Sequence, residues 1–457
     1  MRRPIDPVDT IWLNMDRPNN VMVIESLMTF AEPMDWERLL VTYRERVLDR
    51  YPVFRQRPVF SRVPLLPPHW EDDEAFDLAR HVRYVTLGGE GGDRDLQDYV
   101  NGHFGRPLDR DRPLWEIHLI DGYQGGSAVY SRLHHALADG IALLQVLLSL
   151  TDGEPEPSAA GAGAAAGPEP LIQRDGVWDA AVHAAGAAGG AILDLTHLVS
   201  PHLVHDALTV AQQSASVAAK LTLSHRPRTA LVGTAGEQKC AVWAPPFPLA
   251  EVAEVGHRTG TTVNDVLVAA LAGAVAAYLR EHDGEAVDLP TMVPVNLRGD
   301  AAPPSELGNK FALVLLSLPS GLDTPFARLA ETKRRMDAIK HSPEAVLTFG
   351  MIRGIGRTGR DLERYLVDFF ADKASGVTTN VPGPRAPRYV AGRRVASMLG
   401  WAPQSGNQTL GTCIFTYDGN VHVGFKTDAA TVAHPERLVE AFQEELRQLV
   451  QMAPATS

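Results

Sequence analysis

The segment from residue 128 to residue 150, AVYSRLHHALADGIALLQVLLSL, constrains this chain more than any other. It opens with an apolar run typical of a β-strand and closes with a nearly all-apolar run typical of a buried helix. Between the two runs lies a compact cluster of two histidines, an acid and a glycine: His134, His135, Asp139 and Gly140. A loop held between a strand and a buried helix keeps such a cluster rigid. The sequence therefore predicts a functional site at this loop.

The two adjacent histidines are expected to have different roles. Neighbouring side chains of an extended segment point to opposite faces, so His134 and His135 cannot act on the same atom or serve as twin metal ligands. One should face a cavity and the other the interior. A histidine is a natural general base for an alcohol, thiol or amine, because it accepts a proton and returns it to a leaving group within one turnover.

Two roles stay open for Asp139. Its position just before the apolar run suits a helix cap, and its charge suits a buried ion pair with an arginine that fixes the loop. Arg298 and Arg57 are the best candidates for that arginine, although the segment around Arg57 also fits a solvated turn.

Charge and cysteine content exclude several classes of protein. The formal net charge is −12, whereas a nucleic-acid partner requires a basic face. Cys240 and Cys413 lie far apart, which argues against a disulfide framework or a cysteine zinc site and fits a reduced cytoplasmic setting. No apolar run follows the N-terminal arginines as in a secretory signal, and none reaches the roughly 18 residues of a spanning helix. We expect a protein that is soluble or lies on a membrane surface.

Length and composition predict two domains and a connector. A chain of 457 residues exceeds one ordinary core. The stretch from Pro155 to Pro170 has nothing to bury and is typical of a flexible linker. We therefore divide the chain into an N-terminal domain (1–153), a linker with a helical connector (154–236) and a C-terminal domain (237–457). Strands and helices alternate in both halves, which indicates two α/β domains with mixed sheets.

Within the connector, the stretch from Trp178 to Leu223 is rich in alanine and predicts two helices broken near Pro201. These helices pack on the body of the protein or lie on a lipid surface, and the sequence leaves both interpretations open. His197, His202 and His205 also lie here, but no carboxylate or cysteine stands in a fixed register around them. We expect no metal site among them.

Three local patterns predict structure. The runs on either side of Tyr123–Gly126 predict a β-hairpin. Thr262 and Asp265 have the spacing of a capping box at the start of a long apolar helix. The stretch from Val346 to Phe370 is predicted to be helical, so the G-x-G-x-x-G match at 354–359 is interpreted as a helix turn of small residues rather than a dinucleotide site. The sequence contains no nucleophile elbow, P-loop or H-E-x-x-H motif.

The cluster His134-His135-Ala136-Leu137-Ala138-Asp139-Gly140 resembles the HHxxxDG motif of the CoA-dependent acyltransferase superfamily. Five other segments resemble motifs of the bacterial wax ester synthase/diacylglycerol acyltransferase family: Pro7-Val8-Asp9-Thr10-Ile11-Trp12, Pro113-Leu114-Trp115, Asn264-Asp265, Leu307-Gly308-Asn309 and Asn380-Val381-Pro382-Gly383-Pro384. The resemblance runs from near residue 6 to the last predicted helix. Its main departure is the insert rich in alanine, glycine and proline.

This resemblance implies two chloramphenicol-acetyltransferase-like domains with a tunnel at their interface. It also implies transfer of a long acyl chain from acyl-CoA to diacylglycerol or a fatty alcohol. By the same resemblance His135 is the catalytic base, His134 and Asp139 support the loop, and Gly140 permits a tight passage into the helix. No activated serine or cysteine motif accompanies the histidine, so we expect no acyl-enzyme, no metal and no cofactor beyond acyl-CoA as co-substrate.

Residues of the second half are expected to form the other wall of the site. Asn264 is predicted to line the chamber with Asp265 positioning it; the alternative is a helix N-terminus without substrate contact. Trp115 is expected in the core or in the tunnel wall. Asn380 and Arg298 are also expected to contact substrate. The base is therefore expected to act at a domain interface.

Three other functions stay open: an acyltransferase with a carrier-bound donor, a non-catalytic lipid-binding protein of the same fold, and a histidine-based metal enzyme. The expected location is cytoplasmic, with or without peripheral contact at the inner face of a membrane or at a lipid droplet. Acceptor preference, chain-length selectivity and oligomeric state are not encoded in a recognisable pattern.

Overall fold

The computed structural model describes residues 2–61, 67–156, 225–296, 307–309 and 311–453. The predicted connector helices within Trp178–Leu223, their three histidines and Arg298 lie outside the described residues.

Helices and strands alternate along both halves of the described chain. Those of the first half are β1 (Arg2–Pro4), α1 (Pro7–Met15), β2 (Val23–Phe30), α2 (Trp36–Tyr43), β3 (Gln56–Val59), β4 (His69–Asp72), β5 (Val82–Thr86), α3 (Asp93–Asn101), β6 (Trp115–Tyr123), β7 (Gly126–His134), α4 (Gly140–Ser149) and β8 (Thr151–Asp152). Those of the second half are β9 (Lys239–Trp243), β10 (Phe247–Pro248), α5 (Leu249–Thr259), α6 (Val263–Asp283), β11 (Leu289–Asn296), β12 (Phe311–Leu318), α7 (Pro325–Lys340), α8 (Glu344–Ile355), α9 (Arg360–Ala371), β13 (Gly376–Pro382), β14 (Tyr389–Val390), β15 (Arg393–Trp401), β16 (Leu410–Tyr417), β17 (Asn420–Asp428) and α10 (Glu436–Met452).

The strands form two large mixed sheets, which confirms the predicted fold class. The first sheet has the order β5-β6-β7-β2-β15-β14-β8, and the second has the order β10-β17-β16-β13-β11-β12 with β9 also paired to β17. Parallel pairs, such as β5 with β6 and β13 with β16, occur beside antiparallel ones. A small third sheet joins β1, β4 and β3.

One feature of the first sheet corrects the predicted division of the chain. Strands β14 and β15 lie beyond residue 237 in the sequence, yet they complete the N-terminal sheet, and β15 pairs antiparallel with β2. β15 also lies against β16 and β17 of the second sheet. The two halves therefore share a seam at β15, and a single cut at residue 237 does not separate the two cores.

The hairpin of β6 and β7 carries the histidine cluster. Its turn has positive φ at both Gln124 (50°) and Gly125 (79°), the conformation whose twist matches that of paired strands. Every residue of β7 is buried. The predicted hairpin is confirmed, and it delivers His134 to the centre of the molecule.

The long helix α6 forms the centre of the second core. Thr262 and Asp265 close the predicted capping box at its start, because each side chain accepts the backbone N–H of the other residue. By length and composition α6 is apolar enough to cross a membrane, but most of it is buried against the second sheet and α10. We interpret it as a core helix.

The predicted helix from Val346 to Phe370 is two helices, α8 and α9. The chain turns at Gly356, where a Cβ atom would lie 2.4 Å from the carbonyl oxygen of Pro7. Only glycine allows this close approach to the start of α1. The glycine-rich stretch 354–359 thus comprises the end of α8 and the connection from 356 to 359 between the two helices, instead of a turn within one continuous helix.

Candidate active site

The loop between β7 and α4 holds the histidine cluster through its own backbone. The N–H of His135 donates to the carbonyl of Met22 (2.8 Å), and the N–H of Asp139 donates to the carbonyl of Gly308 (3.3 Å). The Asp139 carboxylate accepts the N–H of Ala142 (2.8 Å) and caps α4. The capping role predicted for Asp139 is therefore confirmed, while Arg298 lies outside the described residues.

Arg57, the other candidate partner of Asp139, lies on β3 in the small sheet, in register with Glu71 of β4.

The two histidines face different surroundings, as strand alternation predicted. His134 points into the interior, where Nδ1 accepts the N–H of Ala136 (3.0 Å) and Nε2 lies 3.5 Å from a carboxylate oxygen of Asp16. Burial raises the pKa of Asp16, but the hydrogen bond and charge of His134 outweigh it and the net pKa is lowered. His134 is thus a structural support of the loop, and its ring is not open to substrate.

His135 faces a cavity. Its imidazole stacks on the indole of Trp12, with ring centroids 4.0 Å apart and planes 25° from parallel, and the ring of Phe311 lies 5.8 Å away. Burial in these apolar surroundings lowers the pKa of His135 to about 4, although the nearby Asp139 carboxylate acts in the opposite direction. The imidazole is therefore neutral at physiological pH and able to accept a proton.

A clamp made by Asn309 fixes the main chain at His135. The Asn309 side-chain amide donates to the carbonyl of His135 (2.9 Å) and to a carboxylate oxygen of Asp9 (2.8 Å), which also accepts the Asn309 backbone N–H (3.0 Å). Burial raises the pKa of Asp9 to about 7 despite these hydrogen bonds. The clamp joins α1, the histidine loop and the segment before β12. Sequence reasoning did not assign roles to Asp9, Trp12 or Asn309, and the only signal was their membership of the resembling segments.

The cavity has a volume of about 250 Å³ and lies at the interface of the two halves, as predicted. Residues of α1, β2 and α4 form one wall: Trp12, Ile24, Met28 and Leu144. Residues of β11, β12, α7 and β16 form the other: Met292, Leu313, Met336 and Phe415. The walls are mainly apolar, and the seam strand β15 lines the cavity between them.

Two asparagines of the second half line the same cavity as His135. The side-chain amide of Asn380 on β13 donates to the side-chain oxygen of Asn264 at the start of α6 (2.7 Å). This bond leaves the Asn264 NH₂ group as a donor at the cavity wall. The prediction that Asn264 lines the chamber is confirmed. Asp265 caps α6 and does not touch the Asn264 amide, so Asn380 is the residue that orients Asn264.

Of the two places expected for Trp115, the core and the tunnel wall, the structure shows the core, and Trp115 does not line the cavity as a substrate-contacting residue would. Its side chain is 1% exposed and packs beneath the first sheet against His81, with ring centroids 4.5 Å apart. Its indole N–H donates to the carbonyl of Phe54 (2.8 Å). A buried indole with a satisfied donor is a core residue.

Gly140 lines the cavity, but the structure contradicts the conformational role that the resemblance implies for it. Gly140 does not have a positive φ, and a Cβ atom added at this position would have no neighbouring heavy atom within 4 Å. The backbone does not require glycine here. The missing side chain leaves space at the cavity wall.

The thiol of Cys413 also lines the cavity, but burial raises its pKa to about 11. A protonated thiol is a poor nucleophile. Among the described residues, no group of three or more His, Cys, Asp and Glu side chains is arranged to hold a metal ion.

The two-sheet fold and a neutral histidine in the cavity between its halves define the class of two-domain acyltransferases that carry the HHxxxDG motif. Residues 5–267 match the wax ester synthase/diacylglycerol acyltransferase catalytic domain, and residues 307–450 match the C-terminal domain of the same family. Residues 249–317 also match the C-terminus of phthiocerol/phthiodiolone dimycocerosyl transferases. The chain belongs to the wax ester synthase/diacylglycerol acyltransferase family and is an acyltransferase.

Relatives and solved structures agree with this assignment. Two Mycobacterium tuberculosis H37Rv proteins named as diacylglycerol O-acyltransferases are 27% identical over 477 residues (100% of this chain, 98% of the relative) and 29% identical over 461 residues (97% and 99%). The wax ester synthase/diacylglycerol acyltransferase of Marinobacter aquaeolei VT8 has the same fold, with a TM-score of 0.69 at 22% identity and 99% coverage of both chains. A condensation domain of the calcium-dependent antibiotic synthetase shares the fold at a TM-score of 0.63 and 16% identity, covering 100% of this chain and 98% of its own. The family implies an acyl donor and a lipid acceptor as substrates.

Proposed function

We propose that this enzyme moves a long acyl chain from acyl-CoA to the hydroxyl of diacylglycerol, of a fatty alcohol, or of both. The observation that carries the proposal is the neutral, buried imidazole of His135 in an apolar cavity between the two halves. A neutral imidazole suits proton transfer from an alcohol, and an apolar cavity suits an acyl chain.

In the proposed mechanism His135 removes the proton of the acceptor hydroxyl as its oxygen attacks the thioester carbonyl. The new C–O bond forms a tetrahedral oxyanion, and in this proposal the NH₂ group of Asn264 donates a hydrogen bond to it. The bond from Asn380 to the Asn264 oxygen, which leaves that NH₂ group as a donor at the cavity wall, supports this role. The C–S bond then breaks, and the imidazolium returns its proton to the departing CoA thiolate. No acyl-enzyme is required, in keeping with the high pKa of the Cys413 thiol.

The shape and lining of the cavity support a long apolar chain as the transferred group. Leu144, Leu147 and Leu148 of α4 line it, together with Met28 and Met398 of the first sheet. The transfer needs no cofactor beyond the co-substrate acyl-CoA in this proposal.

The location stays a prediction: cytoplasmic, with or without peripheral contact at a membrane or lipid-droplet surface. Flotation with liposomes, with and without residues 178–223, tests the surface contact.

An acceptor panel tests the function. Palmitoyl-CoA is the donor, release of free CoA is followed, and diacylglycerol, hexadecanol and a short alcohol are compared. We expect release with at least one of the long lipid acceptors and little with the short alcohol. Absence of CoA release with every acceptor refutes the proposal. Activity only with carrier-bound acyl groups would show that the enzyme uses a carrier-bound acyl donor instead of acyl-CoA.

A matched pair of variants tests the base. His135→Ala should lower kcat by a factor on the order of 10²–10⁴. His422→Ala is the control, because His422 is equally buried with a pKa lowered to about 4 but lies on β17 outside the cavity. Unchanged activity in His135→Ala excludes His135 as the base.

A further inference from the structure

We propose that Trp12, on the N-terminal helix α1, is a positioning residue that fixes the plane of the His135 imidazole and keeps water from it. The inference rests on the proposed role of His135 as the base. It assigns a part in the reaction to a helix that lies far from the histidine motif in the sequence.

Ring geometry is the first observation. The indole and imidazole are stacked at 4.0 Å with planes 25° apart, and Phe311 lies 5.9 Å from the indole. The second torsion of a histidine side chain is broad and poorly fixed by its own preferences. A parallel indole on one face and a phenyl ring nearby restrict that torsion, so they set the direction in which the imidazole nitrogen faces the cavity.

The anchoring of α1 is the second observation. Asp6 caps the helix by accepting the N–H of Val8 (2.8 Å), and Ile11 and Met15 pack on Ile355 of α8. From the same helix, Asp9 holds the Asn309 clamp on the main chain of the base. Thus α1 controls the ring of the base through Trp12 and its backbone through Asp9, by two independent contacts.

Burial gives the arrangement a chemical consequence. The indole covers one face of an imidazole that is neutral because it is dry. In the part of the chain that the structure describes, the other titratable groups near this ring, its loop and its cavity come from several elements: Asp9 on α1, Asp16 just after α1, Glu25 on β2, His134 at the end of β7, Asp139 on the loop and Cys413 on β16. None of them is removed by a change at Trp12, so the pKa of His135 should then respond to water entry alone and rise toward its ordinary value.

The test compares Trp12→Ala, Trp12→Leu and Trp12→Phe with Trp36→Ala. Trp36 is a matched control, because it is a partly buried tryptophan of the same half whose indole N–H donates to Asp121 (2.9 Å), away from the cavity. We expect Trp12→Ala to lower kcat about tenfold or more while KM for palmitoyl-CoA changes little. Trp12→Phe, which keeps a stacked ring, should retain most of the activity, and Trp12→Leu should lie between them.

The pH profile is the second readout. If the pKa of His135 rises to about 6 in Trp12→Ala, kcat/KM falls about fourfold between pH 8 and pH 5.5, because the base is lost as the pH falls through its pKa. The wild type and Trp36→Ala should show no such fall. Should Trp12→Ala fail to fold, Trp12→Leu carries the same comparison.

An unchanged pH profile and kcat in the Trp12 variants overturns the inference. A rise in KM at constant kcat also overturns it, because Trp12 would then contribute to substrate binding and not to the positioning of His135. The proposed function fails separately, through absent CoA release by the wild type or full activity in His135→Ala. If the wild type is active and His135→Ala is inactive, the Trp12 variants therefore test the positioning role of Trp12 alone.

Discussion

Replacement of Asn380 tests how the oxyanion donor is oriented. Asn264 presents either its oxygen or its NH₂ group to the cavity, since the two ends of the amide differ little in shape. The hydrogen bond from Asn380 to the Asn264 oxygen (2.7 Å) selects the orientation with NH₂ toward the cavity. We predict that Asn380→Ala lowers kcat because the Asn264 amide then adopts both orientations. Asn380→Asp should favour the opposite orientation, with the Asn264 oxygen toward the cavity.

The magnitudes differ enough to be separated. Loss of one neutral hydrogen bond costs about 0.5–1.5 kcal/mol, which corresponds to about a 2- to 12-fold fall in rate. Removal of the donor itself, in Asn264→Ala, should cost about 10²- to 10³-fold. A carboxylate at 380 accepts hydrogen bonds only, so it draws the Asn264 NH₂ group away from the cavity and should cost nearly as much as Asn264→Ala.

Steady-state release of CoA from palmitoyl-CoA, measured for both single variants and the double alanine variant, completes the comparison. Since Asn380 acts through Asn264, the double variant should be no slower than Asn264→Ala alone. Additive losses, or an Asn380→Asp variant close to wild type, would refute the idea that Asn380 orients the donor.

Three further changes have clear expected outcomes. The raised pKa of Asp9 makes the folded state bind its proton more tightly than the unfolded state, so this group's stabilisation is lost as the pH rises from about 4 to about 7. Asp9→Asn should reduce the pH dependence of the unfolding free energy. In urea unfolding at pH 8 the variant should be more stable than wild type by up to about 4 kcal/mol. An unchanged pH dependence would contradict a raised pKa of Asp9. Lys426→Met removes the 3.1 Å partner of the buried Glu25 carboxylate, which keeps Arg132 at 3.6 Å. The loss of this charged hydrogen bond should cost about 1.5–3 kcal/mol of unfolding free energy, and Glu25→Gln should recover part of it. A neutral Lys426→Met variant would contradict a stabilising role for the pair. Gly140→Ala should leave the unfolding free energy within about 0.5 kcal/mol of wild type. Any loss of activity in this variant would then come from the added methyl group in the cavity. Marked destabilisation would instead show that the backbone requires glycine at this position.

Features encoded in local sequence were predictable. The opposite orientation of His134 and His135 follows from strand alternation alone, and the capping box of α6 follows from the spacing of Thr262 and Asp265. The Asp139 cap of α4 was also predictable from local sequence, because a helix cap depends only on residues within one turn. These features depend on contacts between near neighbours in the chain.

Features that depend on distant pairing were not predictable. Strand β15 pairs with β2 across more than 360 residues, and a bulge between Val395 and Ser397 breaks its alternation. Without the sheet order, β15 gave no local sign that it completes the first sheet. Asp9 and Asn309 are 300 residues apart in the sequence, so no local pattern predicts the clamp on His135. For Asn264 the sequence favours its nearest polar neighbour, Asp265, as the positioning residue, whereas the fold supplies Asn380 from strand β13.

In the proposed mechanism, the low pKa of His135 has a consequence for the order of the chemical steps. A base with a pKa of about 4 does not hold the proton of an alcohol before attack begins. Once the oxyanion forms, a negative charge at about 4 Å from the imidazolium contributes about 4 kcal/mol at an effective dielectric constant near 20. That energy raises the pKa of the imidazole while the oxyanion is present. Proton transfer therefore becomes favourable only as the C–O bond forms, so a dry, stacked imidazole ties deprotonation of the acceptor to its attack on the thioester and limits loss of the proton to other paths.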